Sequence, residues 1–210
     1  MNQKQTIARQ LLEVKAVRLR PENPFTWSSG WKSPIYCDNR VTLAFPAVRT
    51  YIKNALADVI RQHFPTAQAI AGVATAGIPQ GALVADVLGL PYCYVRPEPK
   101  NHGMGKQIEG QLEAGQSVVV IEDLISTGGS SLKVVDALRT TGADVLGMAA
   151  IFTYGFAVAD QNFADKNVPL VCLSDYEALL NEAQAMNYIS ADALASLSAW
   201  RESPADWTGQ

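Results

Sequence analysis

Four consecutive β-branched apolar residues, Val118-Val119-Val120-Ile121, constrain this chain more than any other stretch. A strand with one face in water alternates apolar and polar residues. A strand that is apolar throughout is buried on both faces, as in a parallel sheet covered by helices. Further strands are expected at Ala69–Val73, Tyr92–Val95, Asp144–Phe152 and Leu170–Leu173. Helices are expected at Ala47–Phe64, Gly81–Leu88, Ser131–Thr140 and Phe156–Phe163. This alternation predicts an α/β fold, a mostly parallel twisted sheet flanked by helices, with ligands bound at the carboxyl ends of the strands.

The residues after Ile121 suggest the ligand. The segment runs Glu122-Asp123-Leu124-Ile125-Ser126-Thr127-Gly128-Gly129-Ser130-Ser131 and opens a helix. The two carboxylates are expected to end the strand, where they can accept from vicinal ribose hydroxyls or hold the waters of Mg²⁺. Free N–H groups and the positive end of the helix dipole suit a phosphate. Gly128 and Gly129 let backbone approach it closely, and Thr127, Ser130 and Ser131 can add hydroxyl donors. Taken alone, Gly-Gly-Ser-Ser is an ordinary βα turn with an N-cap serine; the acidic pair before it favours the sugar phosphate. No lysine follows the glycines and no Gly-x-Gly-x-x-Gly is present, which excludes a Walker loop and a dinucleotide fingerprint.

Two more loops belong to the same sheet edge. Ala74-Thr75-Ala76-Gly77 follows a buried strand and can present N–H groups to a pyrophosphate. Arg96 to Glu109 is long for a connection without structure of its own, and gathers Arg96, Lys100, His102 and Lys106. It reads as a solvated loop or as a lid whose cations close over pyrophosphate, with His102 as its near-neutral acid. His63, at a helix end, reads as structural.

Composition narrows the partners. The chain has 210 residues, 48% hydrophobic and 18% charged, with a net charge of −3. A chain this long buries roughly 70% of its unfolded surface without needing disulfides. The absence of a basic block argues against nucleic acid, and no apolar run approaches the length of a membrane span. Cys37, Cys93 and Cys172 are odd in number and widely spaced, as expected of reduced, buried thiols in a cytoplasmic protein. Residues 3–17 read as an amphipathic helix and not a signal peptide. One domain is expected: 1–45 with the N-terminal helix and an irregular segment, 46–174 with the core sheet, and 175–210 with two helices. Ser190 reads as the N-cap of the second; Ser174-Asp175-Tyr176, at a strand end, could reach the site, but a helix N-cap is the favoured role for Asp175.

Val119–Ser131 closely resembles the phosphoribosyl pyrophosphate (PRPP) signature of type I phosphoribosyltransferases. Phe25-Thr26-Trp27-Ser28-Ser29-Gly30 with Ser33-Pro34-Ile35-Tyr36, Lys100-Asn101-His102-Gly103, and Ile108-Glu109-Gly110 are similar to segments of the orotate phosphoribosyltransferases. The resemblance implies transfer of a phosphoribosyl group from PRPP to orotate, giving orotidine 5′-monophosphate and pyrophosphate in pyrimidine biosynthesis. It implies a small N-terminal base-binding hood, and a long flexible lid loop shared across a homodimer. Arg96, Lys100 and His102 would contact pyrophosphate, residues Glu122 to Ser130 would hold PRPP, and Ser126, Ser28 and Tyr36 would meet orotate. Lys100, His102 and Asp123 would be catalytic. Mg²⁺ would ride on PRPP, held largely by that ligand and water. Ser28, Ala76 and Pro97 stand where many relatives have lysine, and an arginine is missing near Thr153-Tyr154. Arg40 and Lys32 are candidate substitutes. Another nucleobase as acceptor, and a PRPP-sensing regulator without turnover, are the competing readings.

Overall fold

The computed structural model describes residues 2–27, 30–98 and 107–207. Its chain divides into two compact units: Met1–Val48 with Ser174–Gln210, and Arg49–Leu173.

The larger unit contains the sheet. Its strands are β5 (Ala69–Val73), β6 (Tyr92–Val95), β7 (Ile108–Glu109), β8 (Ser117–Ile125), β9 (Asp144–Thr153) and β10 (Leu170–Asp175), in the order β10-β9-β8-β5-β6-β7. The pairs β5–β6, β5–β8 and β8–β9 are parallel, and β7 returns antiparallel to β6. The helices are α2 (Pro46–His63), α3 (Gly77–Leu88), α4 (Gly129–Thr140) and α5 (Ala157–Asp165). Val118 and Val120 pack with Leu132, Val135 and Leu138 of α4 and with Phe163 of α5. Val119 and Ile121, which alternate with them, are also fully buried. The valine run is therefore covered on both faces, as its composition requires.

From β5 the chain crosses to β6 on one side, and from β8 to β9 on the other. The order reverses between β5 and β8, and crevices for ligands open at such switch points. Glycines bring α3 close: a Cβ on Gly77 would lie 2.5 Å from the Ile121 carbonyl oxygen, and one on Gly72 would lie 2.6 Å from the Tyr92 hydroxyl. This packing starts α3 at Gly77, four residues before its expected start.

The smaller unit contains α1 (Gln3–Glu13), β1 (Val17–Leu19), β2 (Phe25–Thr26), β3 (Lys32–Ser33), β4 (Ile35–Cys37), α6 (Tyr176–Ala185) and α7 (Ala191–Glu202). The expected helix over 3–17 stops at Glu13. Lys15 takes a left-handed φ of 59°, and the chain turns into β1, which pairs antiparallel with β4. Asp175 and Ser190 cap α6 and α7, as read from the sequence. The Arg9–Glu182 pair (2.9 Å) joins α1 to α6, a pairing of chain ends that local patterns do not reveal. None of the three cysteines is in a disulfide; Cys93 is buried, but Cys37 and Cys172 are only partly covered.

Candidate active site

Parallel pairing brings the ends of β5, β6 and β8 to one edge. Val73 stands beside Val95, Gly72 beside Ile121, and the Ala74 N–H donates to the Val95 carbonyl at 2.8 Å. The loop at 74–76, the segment leaving Val95 and the loop at 126–128 therefore share that edge, as the sequence suggested. Ala76 precedes α3 and Gly128 precedes α4, and neither helix start is capped by a side chain. The leading N–H groups of an α-helix have no acceptor within it, and two uncapped starts beside a switch point form an anion-binding edge. The Ala74–Thr75 peptide is cis, and Thr75 is exposed.

The acidic pair lies elsewhere than expected. It does not end β8, which continues to Ile125 because β9 supplies backbone partners as far as Thr153. Glu122 is 6% exposed; its carboxylate accepts from the Ser131 hydroxyl at 2.7 Å and from the Asp123 N–H at 2.9 Å. Burial, and then the neighbouring Asp123 carboxylate, push its pKa well above the ordinary value, and the Ser131 hydrogen bond opposes them. Asp123 is half-exposed and is the member of the pair accessible to a ligand. The Ser131 hydroxyl, expected to face a phosphate, is turned inward onto Glu122.

Gly128 also departs from its expected role. It sits at φ +78°, and a Cβ there would lie 2.6 Å from Phe163 Cε2. Glycine is thus required by the turn and by α5, before any ligand is considered. Gly129, Ser130 and Thr127 are exposed, and Ser126 and Leu124 are partly exposed. The Ile125 side chain is in the core and its carbonyl accepts from the Tyr154 N–H, so it offers a ligand no side-chain contact. Asn162 of α5 donates to the Thr127 carbonyl at 2.9 Å. The sequence reading missed this buttress; its only signal was a polar residue in a helix following the next strand.

Arg96 follows β6 and lies 3.6 Å from Glu109 across the β6–β7 pair. Lys100 and His102 lie outside the described residues, as does Ser28. Tyr36 belongs to the smaller unit, its ring tilted against Phe25 (centroids 5.5 Å apart) and under the Arg18 guanidinium (4.9 Å). Both candidate substitutes for the missing cations are engaged: Arg40 grips Asp38 through two hydrogen bonds, and Lys32 donates to Thr26. A cavity of about 440 Å³ at the far end of α4 is lined by Gln107, Gln111, Thr140 and Thr141 among others, with no ionisable side chain.

The family model for the phosphoribosyl transferase domain matches residues 43–179, which span this edge, and makes the chain a phosphoribosyltransferase. An orotate phosphoribosyltransferase of Cytophaga hutchinsonii is 56% identical, over 99% of both chains. One of Bacillus caldolyticus is 58% identical over 97% of this chain and 98% of its own. The solved orotate phosphoribosyltransferase of Aeropyrum pernix superposes with a TM-score of 0.75 at 32% identity, covering 88% of this chain and 99% of its own. The chain belongs to the orotate phosphoribosyltransferases.

Proposed function

We infer that this protein transfers the 5-phosphoribosyl group of PRPP to N1 of orotate, releasing pyrophosphate and giving orotidine 5′-monophosphate for pyrimidine biosynthesis. The observation that carries this reading is near-full-length identity above 50% to orotate phosphoribosyltransferases. The β8–α4 edge supplies a physical basis.

In our proposal the N–H groups that open α4, with the Thr127 and Ser130 hydroxyls, take the 5′-phosphate. Asp123 accepts from the ribose hydroxyls, while Glu122, held by Ser131, fixes the backbone beneath it. The loop at Ala74 to Gly77 and Arg96 meet the pyrophosphate, and Ser126, Ser28 and Tyr36 meet orotate. As the C1–pyrophosphate bond breaks, positive charge develops on the ribose; the Asp123 carboxylate stabilises it and the cations of the 96–106 segment offset the leaving group's charge. Lys100 neutralises the departing oxygens and His102 can protonate them.

Among the described residues no three acidic, histidine or cysteine side chains cluster to hold a metal. The partly exposed carboxylate of Asp123 suits Mg²⁺ carried on PRPP and water. When bound, that ion supplies charge neutralisation at the pyrophosphate. We also propose a homodimer that shares the 96–106 segment between sites, and a cytoplasmic location; no helix among the described residues is long and apolar enough to cross a membrane.

The test is turnover. Purified protein with PRPP and Mg²⁺ should consume orotate, followed by absorbance, with equimolar pyrophosphate release, while uracil, adenine, guanine and xanthine stay unchanged. Turnover of another base would overturn the acceptor assignment. PRPP binding without turnover of any base would favour a sensor.

A further inference from the structure

We propose that Trp200, on the C-terminal helix α7, is a positioning residue for the orotate-binding segment and acts through Trp27. The proposal rests on the assignment of residues 25–36 to the base. The β2–β3 hairpin in that segment pairs only two residues per strand, Phe25 with Ser33 and Thr26 with Lys32. An isolated hairpin is marginal even when longer, so this one needs support from outside itself. Trp27 provides the connection. Its N–H donates to the Trp31 carbonyl at 2.9 Å and its own carbonyl accepts from Gly30 at 2.8 Å, closing the turn.

The Trp27 side chain is pinned at two points. Its indole N–H donates to the Ile35 carbonyl at 3.2 Å, one residue before Tyr36. Its ring meets Trp200 edge-on, with centroids 5.6 Å apart and planes at 83°. Trp200 is fully buried, and in the twelve residues of α7 only Leu197 is buried with it. Trp200 is the largest side chain the helix buries. Tyr176, at the start of α6, lies 5.5 Å from Trp200 and donates its hydroxyl to the Leu197 carbonyl at 3.0 Å. A continuous path leads from α6 through α7 and Trp200 to Trp27, then to the backbone beside Tyr36. Aromatic rings suit such a path, since each has only two side-chain torsions to fix.

Loss of the Trp200 ring should loosen Trp27 and shift the base-contacting backbone, while the PRPP contacts proposed on β8 and α4 stay in place. Steady-state kinetics with each substrate varied, together with melting temperatures, would be measured for Trp200→Phe, Trp200→Leu, Trp27→Phe, Trp200→Leu with Trp27→Phe, and Tyr36→Leu. Trp200→Leu should raise KM for orotate about two- to tenfold, the worth of one aromatic pair, with KM for PRPP unchanged. Trp200→Phe should show a smaller rise, and the double variant no more than the larger single effect. An unchanged KM for orotate in both Trp200 variants would overturn the proposal, as would both KM values and kcat shifting together with the melting temperature. If Trp200→Leu does not fold, Trp200→Phe decides. A shift in Tyr36→Leu without one in Trp200 would sink the positioning role and leave the base assignment standing. No shift in any variant would remove both.

Discussion

Replacing Gly128 by alanine tests whether the turn into α4 is dictated by packing. The residue holds φ +78° and ψ −5°, and a Cβ would stand 2.6 Å from Phe163 Cε2 and 3.1 Å from its Cδ2. An L-residue in that left-handed region costs roughly 1–2 kcal/mol. Phe163 is 3% exposed and locked among Leu132, Val135 and Ala159, so it cannot swing away, and overpacking there adds roughly 1–3 kcal/mol. The sum, about 2–5 kcal/mol, corresponds to a melting temperature lower by roughly 4–20 °C for a chain of this size. Differential scanning calorimetry reads that shift, and PRPP titration should show weaker binding because the start of α4 has moved. Adding Phe163→Leu should recover the packing part and leave the conformational part. A melting temperature within about 2 °C of the parent would refute the reasoning, as would a double variant no more stable than Gly128→Ala.

Other outcomes are expected at the same edge. Glu122 has a folded-state pKa raised above its ordinary 4.5, so the stability it contributes is present below that value and lost as pH rises through the raised one. The melting temperature of the parent should fall relative to that of Glu122→Gln as pH increases from about 5; parallel curves would contradict the burial argument. Asp123→Asn should lower kcat/KM for PRPP about 10- to 100-fold, the worth of a charged hydrogen bond, with little change in melting. A collapsed thermal transition would make the residue structural instead. Lys100→Ala and His102→Ala should each reduce kcat and leave stability nearly unchanged. Mixing either with Asp123→Asn should restore activity if sites are shared; no rescue after demonstrated subunit exchange would argue for separate ones.

The sheet was legible because its strands are short apolar runs whose register follows from parallel pairing. Val118–Ile121 and Ala69–Val73 fall where their composition puts them. Boundaries moved where a distant partner decided them: β9 carries β8 through the acidic pair, and close contact of Gly77 with Ile121 lengthens α3. The acidic pair and the glycine loop marked the candidate site, but sequence could not apportion their duties. Ser131 and Gly128 suit a phosphate by type; in the fold one serves Glu122 and the other makes room for Phe163. The Trp27–Trp200 contact joins segments near opposite ends of the chain, so no local pattern announced it.

The central claim is that the start of α4 receives the 5′-phosphate of PRPP. Ser130→Asp tests it directly, because an acidic residue in the first turn favours an α-helix but repels a phosphate at the same N–H groups. Ser130 is exposed, so the substitution needs no repacking. Calorimetric titration with PRPP and Mg²⁺ should show affinity lost by at least about tenfold, the scale of one like-charge contact, with a melting temperature equal to or above the parent's. Unaltered PRPP affinity in a folded Ser130→Asp protein would contradict the account and move the phosphate elsewhere.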